Sequence, residues 1–218
     1  MIKTHYQTIY SSGFYFNQYM NELILHGHFR FYYLSHGFID EPKRLNDIKH
    51  NFDVEFITDP EKAHYCLCSG RMLPDYFASE AQQAKMLEIL ESLKRNQVIM
   101  LCPNPDVMFV NHENHAEYLS GYIAQQFENM GGQVLYFGKP IAYPYEYILK
   151  NLKPKLPLMI GDTIGTDIKG ATELGIDTLL VKSGVSYYDY KQTESNDDFS
   201  KWISDHNVPV TWCIDSLK

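Results

Sequence analysis

The sequence predicts an α/β protein built on a parallel sheet covered by helices. Three observations carry this. From residue 134 onward, short apolar runs alternate with longer amphipathic stretches at regular spacing: strand 134–137, helix 143–152, strand 158–160, helix 167–174 and strand 178–181. Such alternation marks βαβ units. The chain has 218 residues, 44% apolar and 21% charged, which is ordinary soluble usage and enough for one sizeable domain or two small ones. Finally, the run 158–160 ends directly in a Gly- and Asp-rich turn, at the sheet edge where open parallel sheets bind ligands.

The elements are read in chain order. Residues 7–12 form a short strand ended by Gly13, and Tyr15, Tyr19 and Leu23 recur at helical spacing over 15–25. A β-rich run covers 29–34, and the polar stretch 35–44 leads into a short helix. Strands 54–58 and 65–69 flank Asp59-Pro60-Glu61-Lys62, where Asp59 is placed to cap a helical turn begun by Pro60. Over 79–96, Ala84, Leu87, Leu90 and Leu93 recur every three residues behind Ser79, an N-cap; their stripe is expected to be core. The buried strand 98–102 stops at Pro103-Asn104-Pro105-Asp106, since proline cannot continue a central strand. A second long helix, 117–130, closes on Gly131-Gly132. Beyond the regular βαβ region, Trp202 and Ile203 suggest another helix before a last strand, 210–214, with 194–198 a polar loop.

Composition excludes several classes. A net charge of −8, with no cluster of Lys and Arg, argues against nucleic acid as a partner. No apolar run approaches the ~20 residues of a spanning helix, and the first residues lack the pattern of a signal peptide. No membrane partner is expected, and a cytoplasmic location is. Cys66, Cys68, Cys102 and Cys213 form no C-x-x-C pair and read as reduced structural thiols. His112 and His115 sit in a polar loop and read as solvent-facing.

The strongest chemical signal is Leu158-Met-Ile-Gly-Asp-Thr-Ile-Gly-Thr-Asp-Ile-Lys-Gly170. An apolar strand runs into two carboxylates, Asp162 and Asp167, at the start of a helix. Gly161 and Gly165 permit tight turns, so both acids can face one crevice. Hard oxygen ligands suit Mg²⁺, which commonly takes one or two carboxylates plus phosphate. Each aspartate could instead simply end a strand or cap a helix. Lys139, in Tyr136-Phe-Gly-Lys-Pro140, ends the preceding strand and opens on the same sheet edge, where its ammonium could hold a phosphate.

Gly138-Lys139-Pro140, the Gly161-to-Asp167 loop, Gly175 and Val181-Lys-Ser-Gly-Val185 together resemble the third and fourth motifs of haloacid-dehalogenase-like (HAD) phosphatases. Pro103-Asn104-Pro105-Asp106 resembles the Asn-Pro-Asp turn in the large α/β cap of the class IIA branch. The resemblance implies a partial Rossmann-like core with an inserted cap: a core remnant at 1–27, the cap at 28–116 and the C-terminal core at 117–218. It makes Asp162 a Mg²⁺ ligand, Asp167 a second ligand or an orienter of metal-bound water, and Lys139 the charge that steadies nucleophile and phosphate. Asn104 and Asp106 become the cap groups nearest the substrate, a small phosphorylated metabolite, although a plain turn role fits them equally. A homodimer through the cap is a family-level expectation.

Family members begin with an Asp-x-Asp segment whose first aspartate attacks phosphorus. No Asp-x-Asp occurs in these 218 residues. The resemblance also places two further strands between segment 7–12 and the strand of Ile160, so an interrupted core sheet is expected. Two readings follow: a truncated or split phosphohydrolase completed by a separate N-terminal polypeptide, or a non-catalytic protein that keeps metal or phosphate binding.

Overall fold

The computed structural model describes residues 8–27, 30–39, 46, 48, 51–113, 115–192 and 199–217. The polar stretch 40–44 and the loop 194–198 lie outside these. The fold is mixed α/β, as expected, with parallel sheets flanked by helices.

The first unit is a five-stranded sheet. Its strands are β1 (Arg30–Tyr33), β2 (Glu55–Ile57), β3 (Tyr65–Leu67), β4 (Ile99–Cys102) and β7 (Val134–Tyr136), in the order β2-β1-β3-β4-β7. Every pairing is parallel, with Phe31 opposite Tyr65, Cys66 opposite Met100 and Leu101 opposite Leu135. The central strands are near-continuous apolar runs, as strands covered on both faces must be. Helix α1 (Ser12–Leu25) buries Phe16, Met20 and Leu23 against Phe31, Leu67 and Leu101. Helices α2 (Glu80–Arg95) and α3 (Ser120–Asn129) bury Met86, Leu90, Leu93, Ile123 and Phe127 with Cys66, Met100 and Cys102.

In α2 the buried stripe is Met86, Leu90 and Leu93, while Ala84 and Leu87 are exposed. The physical reason is geometric. A strict three-residue repeat drifts by about 60° per step on a helix of 3.6 residues per turn, so it leaves the core after one turn. Ser79 does cap the helix, its Oγ accepting from Gln82 N at 3.3 Å.

The expected helix 117–130 begins later than its pattern suggested. Residues Ala116–Tyr118 form strand β6, antiparallel to β5 (Met108–Val110), and Phe109 faces Glu117. This two-stranded hairpin projects from the Asn-Pro-Asp turn. Of the expected strand 7–12, residue 7 lies outside the described residues, 8–11 form no strand, and Ser12 starts α1.

The second unit is a three-stranded parallel sheet, β8 (Leu158–Gly161), β9 (Asp177–Val181) and β10 (Trp212–Ile214), in the order β10-β9-β8. Helix α4 (Ala142–Leu152) and helix α5 (Lys169–Glu173) supply Tyr145 and Ala171 to a small core with Ile176. Ile164, Ile168 and Leu180 pack with Phe199 of α7 (Phe199–Asp205), beside α6 (Val185–Gln192). Among the described residues strand β8 is bonded to β9 alone, and its apolar residues Leu158 and Ile160 stay 45% and 46% exposed.

The sheets divide the chain differently from the expected boundaries at 27/28 and 116/117. Helix α1 packs on the first sheet, and β7 hydrogen-bonds to β4 within it, so the change of sheet falls just before Lys139. Burial decides this. The apolar face of α1 meets Phe31 and Leu101, contacts that local periodicity does not encode. The units also meet at an aromatic seam, where Tyr10 and Phe14 stand edge-on to Tyr147 of α4 with centroids 5.4 and 5.5 Å apart. Tyr15 Oη donates to Pro144 O at 3.3 Å across the same seam.

Candidate functional site

The acidic loop leaves β8 at Gly161 and turns through Asp162 and Thr163 into a five-residue π-helical turn, Ile164–Ile168, which runs on into α5. Ile168 N donates to Thr163 O at 3.2 Å, the wide i to i+5 closure of that turn. The geometry folds Asp167 back under the strand end. Asp167 Oδ2 accepts from Asp162 N at 3.2 Å and Thr163 N at 3.1 Å. Its Oδ1 accepts from Lys139 Nζ at 2.5 Å. A Cβ on Gly161 would overlap Asp167 Cβ and Cγ, so glycine is required there by close approach.

Asp162 points the other way. Its Oδ2 accepts from Val185 N at 2.9 Å, at the start of α6, and its backbone carbonyl accepts from Ser186 N at 3.1 Å. Among the described residues Oδ1 has a single, long contact, from Thr163 Oγ1 at 3.5 Å. Gly184 lies so near that a Cβ there would strike Asp162 Oδ2.

Four of the five expected site residues share one cavity. Lys139, Asp162, Asp167 and Asp106 line a space of about 310 Å³, closed on the hairpin side by Met108–Val110 and Asn111 and on the other by Ser183 and Gly184. Asn104 is not part of it. Its Oδ1 accepts from Asp106 N at 3.2 Å, and its backbone carbonyl takes Ser120 Oγ at 3.3 Å. Its side chain thus shapes the turn that presents Asp106. His112 and His115 are exposed, although His112 also stands on the cavity rim.

Electrostatics follow from this packing. Burial pushes the Asp106 carboxyl up, Asp167 and Asp162 add to the rise, and Lys139 partly offsets it. Burial alone would lower Lys139, but Asp167, with help from Asp106 and Asp162, holds its ammonium above the usual lysine range. The site is therefore a fixed cation among three carboxylates. Two contributors gave no signal in the sequence. Tyr145 Oη lies 3.3 Å from both Thr166 O and Asp167 O, propping the π-turn from α4. Ser186, 4% exposed, accepts from Ile164 N at 2.8 Å.

The donors suit a hard divalent cation. Asp162 lines the cavity, and its Oδ1 has little committed to the protein. Among the described residues no group of three or more His, Cys, Asp and Glu forms a metal cage. Mg²⁺ ordinarily needs fewer protein ligands, taking one or two carboxylates with waters and phosphate. Both Asp167 oxygens already have protein partners, so Asp162 is the carboxylate best placed to bind directly. The thiols stand apart from this site. Cys66, Cys68 and Cys102 are buried and unbridged, and burial pushes the Cys102 thiol up to about 12.

Residues 136–206 match the HAD-hydrolase-like family model. Human chronophin is 30% identical over 106 residues, covering 47% of this chain and 36% of its own. A Bacillus subtilis 5'-nucleotidase, YutF, is 33% identical over 81 residues, covering 34% and 32%. The dihydroxyacetone phosphatase of Corynebacterium glutamicum is 31% identical over 88 residues, covering 39% and 32%. The matched stretches thus span about a third of the length of these relatives. A haloacid-dehalogenase-like hydrolase from Brucella suis has the same fold, with TM-score 0.66, 24% identity, and coverage of 93% of this chain and 70% of that one. A p-nitrophenyl phosphatase from Archaeoglobus fulgidus follows with TM-score 0.58 and 17% identity, covering 92% and 69%.

Proposed function

We propose that this chain, haloacid-dehalogenase-like in its fold and in its segment 136–206, forms the cation- and phosphate-holding part of a site that hydrolyses small phosphate monoesters. The observation that carries this reading is the convergence of Lys139, Asp162 and Asp167 at the end of β8, in a cavity also lined by Asp106 of the other unit. Phosphoryl transfer depends chiefly on positioning and on neutralising charge at the transferring group. Bound at Asp162 Oδ1, Mg²⁺ would supply part of that neutralisation. Lys139 supplies the rest, its ammonium held in place by Asp167. Asp167 fixes the strand end through the amides of Asp162 and Thr163, and so orients Asp162. Asp106 and the β5–β6 hairpin close the far side, where the organic part of a small monoester would lie.

The attacking carboxylate has no counterpart in these 218 residues, which contain no Asp-x-Asp. We assign it to a further polypeptide segment. The edge of β8 supports this: among the described residues β8 pairs only with β9, which leaves its other edge available to a further strand, and Leu158 and Ile160 leave one apolar face of it exposed. The test is a phosphatase assay over a panel of small phosphate monoesters with Mg²⁺. The chain would be measured alone and together with any polypeptide encoded upstream. Activity that Asp162→Asn abolishes supports the proposal. No activity in either sample, with Mg²⁺ binding retained, would favour a non-catalytic binding protein.

A further inference from the structure

The corner between β9 and α6 fastens the acidic loop at three points: Val185 N to Asp162 Oδ2 at 2.9 Å, Ser186 N to Asp162 O at 3.1 Å, and Ile164 N to Ser186 Oγ at 2.8 Å. In two of these the corner contributes only a backbone amide, which almost any residue at 185 or 186 could supply, although one of them needs the Asp162 carboxylate as acceptor. The third needs a side chain. Ile164 is 2% exposed and opens the π-helical turn, so its amide is one of the donors left over at a helix start. Water has little access to it, and Ser186 Oγ is the acceptor that satisfies it.

The bond also has a geometric effect. Ser186 holds Ile164 while Val185 holds the Asp162 carboxylate, so the loop on either side of Thr163 is pinned to one rigid corner. Gly184 keeps that corner close, leaving no room for a side chain against Asp162 Oδ2. With Oδ2 held by Val185 N, Oδ1 is the less engaged oxygen of a carboxylate that lines the cavity.

We propose that Ser186 is a positioning residue for the cation site: its hydroxyl sets the start of the π-turn, and through it the direction in which Asp162 presents Oδ1. The proposal rests on the reading of Asp162 as the principal Mg²⁺ ligand. Ser186 touches neither cation nor substrate and acts through Asp162. A threonine would keep the acceptor oxygen, whereas alanine would leave the Ile164 amide buried without a partner, a loss that falls on the loop.

The test is calorimetric titration of the full chain with MgCl₂, comparing the unmodified protein, Ser186→Ala and Ser186→Thr, with Asp162→Asn as reference. Amide hydrogen exchange over 162–164 is read in parallel. Ser186→Ala is expected to weaken Mg²⁺ binding roughly fivefold and to speed exchange at 162–164, with Ser186→Thr restoring most of both. Equal affinity and equal exchange in Ser186→Ala and the unmodified chain would overturn the proposal, as would a threonine variant no better than alanine. Absence of Mg²⁺ binding in the unmodified chain would overturn both this proposal and the ligand role of Asp162, which separates the two failures.

Discussion

Removing the Lys139 ammonium should expose how much of the site's order depends on one ion pair. Lys139 Nζ lies 2.5 Å from Asp167 Oδ1, with side chains 43% and 4% exposed. A hydrogen bond to a charged group contributes about 1.5–3 kcal/mol, and the solvent exposure of Lys139 reduces this to about 1–2 kcal/mol. In Lys139→Met the carboxylate stays buried on its two amide donors, so it is weakened and not orphaned. Expected is a loss of about 1–2 kcal/mol, or about 2–8 °C in Tm for a chain of this size. The assay is urea unfolding at neutral pH of Lys139→Met, Asp167→Asn and the double variant. The pair predicts a coupling energy of about 1–2 kcal/mol. A coupling below about 0.3 kcal/mol, within ordinary additivity, would refute the claim that the two side chains act as a unit. The pH profile gives a second check. Because folding raises the Lys139 pKa, its stabilisation is complete below the ordinary lysine range and fades as pH rises through the raised value. Lys139→Met should lack that alkaline decline.

Gly161→Ala would drive a methyl into Asp167, and a destabilisation of about 1–3 kcal/mol in chemical unfolding is expected; an unchanged midpoint would show that the loop can move aside. Tyr145→Phe removes the hydroxyl that props Thr166 O and Asp167 O, at a cost of about 0.5–1.5 kcal/mol in the same assay. Asp106→Asn should stabilise the chain at neutral pH. Folding raises the Asp106 pKa, so stability falls as pH climbs from the ordinary carboxylate range through the raised value. The advantage of Asp106→Asn should vanish below that range, and equal stability of the two proteins across pH 3–8 would contradict it.

Much of this protein is legible locally. Alternating apolar runs marked β7, β8, β9 and the helices after them, and Ser79 marked the start of α2. These signals survive because each depends on residues near one another in sequence. The extra turn read at the start of α3 fails for the opposite reason. Residues 116–118 have a helix-compatible pattern, yet they pair with 108–110, and that non-local partner decides their conformation. Lys139 and Asp162 were expected on one sheet edge, but β7 and β8 belong to different sheets.

The sequence by itself determined that an α/β chain carries a lysine and two carboxylates just after apolar strands, and that no Asp-x-Asp occurs in its 218 residues. Only the tertiary structure decided how their atoms are used. It joined α1 and β7 to the first sheet, brought Asp106 to the second unit's strand ends, engaged both oxygens of Asp167, and left Asp162 Oδ1 with one long contact. Residue type and spacing say which groups can reach an edge. The partner of each oxygen is set by the distance and angle to donors far along the chain, such as Val185, Ser186 and Lys139, and those exist only once the strands have packed.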